Sequence, residues 1–355
     1  MRSCLIKYFI LSISVFGLVQ VAVAIPLEAK IDKNNGTITI HRNGVSKPLV
    51  TQNAAMDHRP YLHPVIGPDG KGIYTQYSPG HHKHQTGIYW GFTRVNGRDY
   101  FHHPEKEYWK RKSLKVLEAE GESVKWETVY DLLDVDGNAL LTETQRWEMR
   151  SDQDRHVLTL EWQGASQTDV TIGKYPYGGL FVRMPWQKGI KGEAVNAARD
   201  VNRRAEGKRA MWLDVGMEIA GRDDWGHIAI FDHPKNQGYP QPWRVDSQLG
   251  VGPVRARLGD WKIAKGKTET IRHQIQVYGG KLDDKELTNR WKAYTGQRGT
   301  YALWQLAKRA GREAKFLSPQ EAVDNSTIED GFTVNSWANE PMITQPMAFC
   351  WDDKG

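Results

Sequence analysis

Histidine is concentrated in one part of the chain, where positions 81, 82, 84, 102 and 103 are all histidine. In Gly80-His81-His82-Lys83-His84, an extended backbone would place His82 and His84 on the same face of a strand. Two imidazoles so placed have the chemistry to exchange protons with a substrate or to bind one metal ion. We therefore assign His82 and His84 as candidate catalytic residues, the alternative being a hydrogen-bonded histidine network at a sandwich rim.

A metal ion would need a third ligand, and the sequence does not choose one. The candidates near the histidines are His58, His63, His102, His103, Asp57 and Asp99. Whether any metal or other cofactor binds is left open.

A second candidate cluster is Asp232 and His233, which follow a strand predicted over Trp225 to Phe231. The prolines of Pro240-Gln241-Pro242-Trp243 fix the loop that comes next. An adjacent Asp and His can act as an acid/base pair, although neighbouring strand residues point to opposite faces. The alternative role for Asp232 is to cap the turn. We assign Asp232 and His233 as catalytic candidates, and expect them to face a common hollow with the loop histidines.

Arginine and tryptophan side chains supply the expected contacts to a substrate. Guanidinium groups bind hydroxyls or carboxylates, and indole faces stack on the C–H faces of sugars. The predicted substrate-binding residues are Arg59, Arg183, Trp90 and Trp243. His273 alternates with apolar residues and is predicted to be a core histidine.

These side chains must be positioned by strands, because most of the chain alternates between short β segments and tight turns. Asn43-Gly44, Asn96-Gly97 and Asp136-Gly137 are typical hairpin turns, since both central residues accept a positive φ. The predicted strands around them are 37–41, 45–50, 87–95, 124–135 and 139–149, and further strands are predicted over 157–162 and 271–277. We expect a mainly β protein built as a large antiparallel β-sandwich.

The C-terminal part changes character. Helices are predicted over 283–294 and 300–313, as caps on one end of the sandwich. A third helix is predicted to start at Ser318, with Pro319 in its first turn and Glu321 completing a capping box. The polar stretch 188–209 is interpreted as a solvated excursion, the alternative being a basic lip over a site for an anionic ligand.

The N-terminus has the pattern of an export signal. Arg2 and Lys7 precede an apolar run over 8–23, and Ala22-Val23-Ala24 provides a small-x-small cleavage pattern. Cleavage there would leave one cysteine, Cys350, which excludes an intrachain disulfide. We expect a periplasmic or secreted protein with no transmembrane span after cleavage. Lys and Arg number 48 and Asp and Glu 42, without a basic run, so we expect no nucleic-acid partner.

The segment from Arg59-Pro60-Tyr61-Leu62-His63-Pro64 to Asp69-Gly70 resembles the bacterial secreted family called methane oxygenase PmoA-like. The likeness continues through His82-Lys83-His84-Gln85-Thr86-Gly87, Val95-Asn96-Gly97, Asp232-His233-Pro234 and Pro242-Trp243. Where the family runs His-Pro-His-His-Arg-Gly, this chain has Gln85 and Thr86 in place of a histidine and the arginine. The resemblance implies a relative of the galactose-mutarotase supersandwich and a sugar as substrate. An integral-membrane methane monooxygenase is not expected, because no apolar span follows the signal.

The tail carries a separate resemblance. Phe316-Leu317-Ser318-Pro319, Asp330-Gly331-Phe332 and Asn339-Glu340-Pro341 resemble the opening of membrane-bound dehydrogenase-like propellers similar to sorbosone dehydrogenase. The expected organisation is a signal peptide over 1–24, a β-sandwich domain over 25–315, and a linker or truncated propeller start over 316–355. This resemblance implies a possible fusion to a dehydrogenase-like module in a longer chain.

Three functions follow as hypotheses. The first is carbohydrate binding with acid/base processing by an isomerase, lyase or hydrolase. The second is a non-catalytic sugar-binding module of a larger exported dehydrogenase. The third is a metal-dependent oxidase. Gly-x-Gly-x-x-Gly, Walker and Gly-x-Ser-x-Gly patterns are absent from the sequence, so it gives no support to dinucleotide, NTP or serine-hydrolase chemistry.

Overall fold

The computed structural model describes residues 25–152, 154–297, 318–326, 328–329 and 331–337. Strands dominate this part of the chain. They are β1 (Leu27–Asp32), β2 (Thr37–Arg42), β3 (Val50–Asn53), β4 (Tyr61–Val65), β5 (Ile88–Gly91), β6 (Trp109–Glu118), β7 (Glu120–Gly121), β8 (Ser123–Leu133), β9 (Ala139–Ser151) and β10 (Arg155–Ser166). They continue as β11 (Val170–Ile172), β12 (Gly179–Val182), β13 (Gly192–Asn196), β14 (Trp212–Glu218), β15 (Trp225–Asp232), β16 (Trp243–Val245), β17 (Val251–Pro253), β18 (Trp261–Ile263) and β19 (Thr268–Gly280).

The strands form two large antiparallel sheets. The nine-stranded sheet has the order β16-β17-β12-β5-β4-β3-β2-β1-β7, and the eight-stranded sheet has the order β13-β14-β15-β19-β10-β9-β8-β6. A small third sheet pairs β11 with β18. Because β5 pairs with β12 across a long stretch of sequence, the nine-stranded sheet depends on contacts between distant segments.

The two large sheets pack face to face. Residues of β10 alternate between buried and half-buried positions, as a strand with one face in the core should. Trp90 of β5 stacks on Trp162 of β10 with ring centroids 4.9 Å apart. Trp126 of β8 donates from its indole nitrogen to Gln52 Oε1 of β3 at 3.0 Å. The predicted large antiparallel β-sandwich is therefore confirmed.

The turn sequences predict the positions of hairpins correctly, but they do not predict where the strands begin and end. Asn96 and Gly97 both have positive φ, as does Gly137 between β8 and β9. The strand predicted over 45–50 is wrong, because residues 43–49 form turn and irregular backbone and β3 covers Val50–Asn53. The strand predicted over 87–95 is too long, since β5 ends at Gly91.

The polar stretch 188–209 is more ordered than a solvated excursion. Its middle forms β13, which pairs with β14 at the edge of the eight-stranded sheet. Ala194, Ala197 and Ala205 are buried. Small apolar residues between the charges thus attach the segment to the core. These alanines are the signal in the sequence that the segment is partly buried.

Two α-helices lie in the described residues, besides two short 3₁₀ helices. Helix α1 (Asp284–Thr295) is capped by Asp283 and buries Leu287 and Trp291. Helix α2 (Pro319–Asp324) has the predicted capping box between Ser318 and Glu321. The helix predicted over 300–313 and the signal peptide over 1–24 lie outside the described residues. Neither described helix has the length and apolarity needed to cross a bilayer.

Candidate active site

The outer face of the nine-stranded sheet carries a row of aromatic side chains. Tyr61 of β4 pairs with Tyr89 of β5, and Tyr89 pairs with Phe181 of β12. Strand alternation points their neighbours Leu62, Ile88 and Leu180 into the core and leaves this row on the opposite face. Together with Phe101, Tyr89 and Phe181 form a small aromatic cluster outside the main core.

Two buried arginines hold loops above this row. The Arg59 guanidinium lies 3.8 Å from the Tyr89 ring centroid. It donates to the carbonyl of Phe101 at 2.5 Å and to the carbonyl of His84 at 2.5 Å. Burial lowers the pKa of Arg59 to about 10, which leaves it charged at neutral pH. Arg59 thus positions two histidine-bearing loops, because its guanidinium is engaged by the protein's own carbonyls and by the Tyr89 ring.

Arg183, which follows β12, has a similar role on the other side of the row. It is fully buried and donates to Gln85 Oε1, to the Gln248 carbonyl at 2.5 Å and to Asp246 Oδ2 at 2.6 Å. Gly87 completes the return of the 81–86 loop to β5. Its φ is +79°, and a Cβ there would collide with the Leu62 carbonyl.

These supports bring four imidazoles together in what we call the histidine surface, made of His81, His82, His84 and His102. The Nδ1 atoms of His81 and His82 are 2.8 Å apart, and the ring centroids of His82 and His84 are 5.7 Å apart. His84 in turn lies 4.5 Å from His102. The ring centroids of His81 and Trp186 are 5.4 Å apart, and the two rings are nearly perpendicular. The predicted pair His82 and His84 therefore belongs to one continuous surface.

His102 forms a carboxylate–imidazole pair with Asp99. Asp99 Oδ2 accepts a hydrogen bond from His102 Nδ1 at 2.7 Å, while Asp99 Oδ1 accepts from the backbone N–H groups of Phe101 and His102. An ionised carboxylate can only accept, so Nδ1 carries the proton and Nε2 of a neutral ring is an acceptor. His102 Nε2 lies 3.4 Å from the Tyr177 hydroxyl. The pair thus presents a basic nitrogen on a side chain that is about 31% exposed.

The electrostatics keep the neighbouring imidazoles neutral. Burial, followed by the charges of His102 and Arg59, lowers the pKa of His84 to about 3. Burial and the charge of Arg183 also lower the pKa of His82. Burial alone would raise the pKa of Asp99, but hydrogen bonds from His102 and the backbone outweigh it and lower the pKa. With Asp99 ionised and His82 and His84 neutral, the Asp99-bonded imidazole of His102 is the group of this surface placed to exchange a proton.

Tyr177 and Arg244 extend the surface toward β16. The Arg244 guanidinium lies 5.6 Å from the Tyr177 ring centroid and donates to Glu206 Oε1 at 2.9 Å. Tyr177 also meets Tyr175, with the two hydroxyl oxygens 3.4 Å apart. Hydroxyl and guanidinium groups thus lie beside the Asp99–His102 pair, which we call the dyad, where they can hydrogen-bond a polar ligand.

The predicted Asp232 and His233 lie elsewhere. Asp232 ends β15 in the eight-stranded sheet, is fully buried, and accepts from the backbone N–H groups of His233 and Gln241 and from Asn236 Nδ2. Burial raises the pKa of Asp232 to about 7 and lowers that of His233 to about 4. Within the described residues, no hydrogen bond, ion pair or ring contact joins either residue to the histidine surface. Asp232 is fully buried and caps its turn, so its carboxylate does not open onto a hollow shared with the histidine surface.

The two predicted sugar-stacking tryptophans are also away from the surface. Trp90 is 2% exposed and stacks on Trp162 in the core. Trp243 is fully buried, and its indole nitrogen donates to the Ala210 carbonyl at 2.9 Å. Both point inward because strand alternation in β5 and β16 gives the outer face to Tyr89 and Arg244 instead. His273 is fully buried, as predicted.

Sequence reasoning therefore found the histidines but not the dyad. The sequence predicts Asp99 and His102 only as possible third metal ligands, although their i, i+3 spacing after the Asn96-Gly97 turn is a signal for the pair. Among the described residues, no three His, Cys, Asp or Glu side chains are arranged to hold a metal ion.

Fold and site together define a two-sheet β-sandwich with an imidazole-rich surface on the outer face of one sheet. The chain belongs to the family of unknown function DUF6807, whose model matches residues 41–292. No curated protein matches the sequence. The family description names no activity, so the likenesses to the PmoA-like family and to the dehydrogenase-like propellers stay predictions.

Solved structures with a similar fold include GH36 α-galactosidases and a galactose mutarotase related enzyme. The GH36 α-galactosidase AgaB from Geobacillus stearothermophilus has 7% identity and a TM-score of 0.41, over 77% of this chain and 44% of that chain. A stachyose complex of AgaA from the same organism has 10% identity and a TM-score of 0.41, over 79% and 44%. A galactose mutarotase related enzyme from Lactobacillus acidophilus has 10% identity and a TM-score of 0.28, over 72% and 100%. The chain thus spans less than half the length of the α-galactosidases, and similarity this low carries no functional assignment.

Proposed function

We propose that this protein is an exported carbohydrate-active protein that binds a sugar on the histidine surface and processes it by acid/base chemistry. The observation that carries the proposal is the 2.7 Å hydrogen bond between Asp99 and His102, which leaves Nε2 as an acceptor beside the half-buried His84. Such a carboxylate fixes the tautomer and orientation of an imidazole and stabilises the imidazolium that forms.

His102 is the proposed proton acceptor, taking a proton from a sugar hydroxyl or ring carbon at Nε2. His84 stays neutral and serves as a hydrogen-bond partner, because its pKa lies far below neutrality. His82 lies next to His84 on the more open side of the surface. An isomerase, a lyase and a hydrolase would all use this arrangement.

Sugar recognition is assigned to the groups around the dyad. Trp186 is half-buried beside His81, so part of its indole is accessible for stacking on a sugar face. Arg244 and the Tyr177 hydroxyl supply donors within the same surface. Arg59 and Arg183 contribute indirectly, by holding the loops.

The cellular setting of the proposal comes from the sequence. The basic and apolar pattern of residues 2–24 supports export to the periplasm or beyond. The resemblance of the 316–341 segment to dehydrogenase-like propellers supports attachment to such a module in a longer chain. Amino-terminal sequencing of the exported protein should find Ile25 as its first residue.

The experiment begins with a thermal-shift screen of neutral and acidic mono- and oligosaccharides, followed by product analysis for each sugar that binds. His102→Gln should lower turnover by about 10²–10⁴-fold, because it removes the base. Asp99→Asn keeps a side-chain oxygen that accepts from the backbone N–H groups but removes the negative charge beside His102. This variant should have lower turnover and nearly unchanged sugar affinity.

His103→Gln is the matched control. His103 is adjacent in sequence and also pairs with a carboxylate, Glu105 at 2.8 Å, but its ring stacks on Tyr108 instead of joining the histidine surface. Turnover should survive this change. Full activity of His102→Gln would contradict the catalytic role, and sugar binding by a wild-type protein without turnover would identify a binding module. Stoichiometric copper, iron or zinc in the purified protein would favour the oxidase hypothesis.

A further inference from the structure

A groove of about 530 Å³ lies next to the histidine surface and is lined by four cationic side chains, Arg94, Lys174, Arg209 and Arg257. None of the described residues that line it is acidic. We call it the basic groove. Tyr175, Pro176 and Leu258 supply the rest of its side-chain lining, with further contributions from Gly207 and Pro242.

The positive charge of the basic groove is only partly compensated. In the described part of the chain, no ion pair involves Arg94 or Lys174. Arg209 donates to the carbonyls of Gly238, Tyr239 and Pro240, and the charge of the buried Asp232 acts on its guanidinium as well.

The nearby carboxylates are already engaged. Arg257 pairs with Glu206, but Glu206 is shared with Arg244 and also accepts from the Val245 N–H. Asp260 accepts from the backbone N–H of Lys174 at 2.7 Å. Even when Asp232 beside Arg209 is counted with these two carboxylates, the cations of the groove outnumber the carboxylates.

The basic groove is continuous with the histidine surface. Tyr175 lines the groove, and its ring centroid lies 4.8 Å from that of Tyr177, whose hydroxyl reaches His102. Glu206 forms a second link, because it bridges Arg257 in the groove and Arg244 beside Tyr177. A ligand that extends from the histidine surface past the two tyrosines would place its next substituents among the cations.

We infer that the basic groove binds an anionic substituent of the saccharide, a carboxylate or a sulfate ester, while a neighbouring sugar ring lies on the histidine surface. This inference rests on the proposed function and narrows its substrate class to acidic saccharides. Guanidinium groups match the geometry of both anions, and Tyr175 supplies a ring face and a hydroxyl between the two sites.

The test compares three oligosaccharides of equal length by isothermal titration calorimetry: a neutral galacto-oligosaccharide, an oligogalacturonate and a sulfated galactan fragment. At 50 mM salt, at least one acidic ligand should bind ten-fold or more tightly than the neutral one. The gap should shrink at 500 mM salt, because exposed charges are then screened. The carboxylated and sulfated arms identify which anion the groove prefers.

Lys174→Glu and Arg94→Gln remove charge from the groove and should each reduce acidic-ligand affinity several-fold while leaving neutral-ligand affinity unchanged. Lys115→Glu is the control, since Lys115 is an exposed cation on β6 of the eight-stranded sheet. Thermal unfolding verifies that each variant is folded. If Arg94→Gln fails to fold, Lys174→Glu decides alone.

The outcomes separate this inference from the function on which it rests. Equal binding of all three ligands, with no effect of Lys174→Glu, would overturn the anion site and leave sugar binding intact. Absence of binding by every ligand would overturn both. Preference for an acidic ligand that is lost in Lys174→Glu but kept in Lys115→Glu establishes the site.

Discussion

Arg59 is the residue on which the geometry of the site depends most, although it is fully buried. Its guanidinium stacks on Tyr89 and bonds the carbonyls of His84 and Phe101, so one side chain fixes both halves of the histidine surface. Arg59→Met should lower the free energy of unfolding by at least about 2 kcal/mol, because buried carbonyls lose a charged donor. Chemical denaturation measures this loss, and sugar affinity should fall with it.

Arg98→Met is the comparison for that change. Arg98 also lies 3.8 Å from a tyrosine ring centroid, that of Tyr108. It is only half-buried, however, and donates to the backbone carbonyl of Glu107. This substitution should lower the free energy of unfolding by less than about 1 kcal/mol and leave the sugar affinity unchanged. Equal effects of the two substitutions would show that Arg59 has no special role in positioning the loops.

At this same scale, the sequence identified residue types better than their positions. His82 and His84 were found because histidines cluster in the chain, and both lie on the histidine surface. Asp232 and His233 were chosen because they are adjacent, yet burial makes Asp232 a turn cap. The i, i+3 spacing of Asp99 and His102 is a local signal for their pairing, but it does not show that the loop carrying them packs over Tyr89.

At the scale of elements, strands β14, β15 and β19 are joined by a buried polar triad. Asp214 accepts from His227 Nδ1 at 2.8 Å and from the Tyr278 hydroxyl at 2.7 Å, while His227 Nε2 donates to the Gly280 carbonyl at 3.2 Å. Burial would lower the pKa of His227, but the charge of Asp214 and these hydrogen bonds outweigh it and raise the pKa. Both ring nitrogens are therefore donors in the folded protein.

The sign of the pH dependence follows from this shift. A histidine whose folded pKa is raised contributes its full stability below the unfolded value of about 6.5 and loses it as the pH rises through the folded pKa. His227→Gln should lower the free energy of unfolding by roughly 1–3 kcal/mol at pH 6, and this difference should be smaller at pH 9. Urea unfolding of both proteins across this range measures the difference.

His273→Gln provides a control of opposite sign. His273 is also fully buried, on β19, but burial lowers its pKa to about 3. The neutral form of His273 is favoured in the folded state. The loss in free energy of unfolding caused by His273→Gln should therefore rise toward pH 6.5 and stay constant above it. A cost for His227→Gln that does not vary between pH 6 and pH 9 would contradict the charged triad.

The elements themselves were only partly predictable. Hairpins such as β8–β9 have a local signal in Asp136-Gly137, and the long strands β10 and β19 show period-two alternation. The short strands β3, β12, β16 and β17 have three or four residues each, too few for a period. Because these strands build the sheet that carries the site, the site's position was the least predictable part of the fold.

At the scale of the whole molecule, the sandwich separates stability from recognition. The stack of Trp90 on Trp162 joins the two sheets on the core side, while Trp186, which packs partly against the core, has its ring beside His81 of the histidine surface. Trp162→Leu should lower the free energy of unfolding by roughly 3 kcal/mol, because it leaves a cavity. It also removes the indole N–H that donates to Glu143 Oε2 at 2.8 Å. Below its unfolding temperature, the variant should bind sugar like the wild type.

Trp186→Leu is the reciprocal change, and the two together test the arrangement of the molecule. Trp186 is only partly buried, so its loss should cost less than about 1.5 kcal/mol of stability, while sugar affinity should fall about ten-fold if its ring stacks on the ligand. Calorimetric unfolding and ligand titration on the same samples give both quantities. Reduced sugar affinity in folded Trp162→Leu, with normal affinity in Trp186→Leu, would instead place recognition on the core side and contradict a site on the outer face of the nine-stranded sheet.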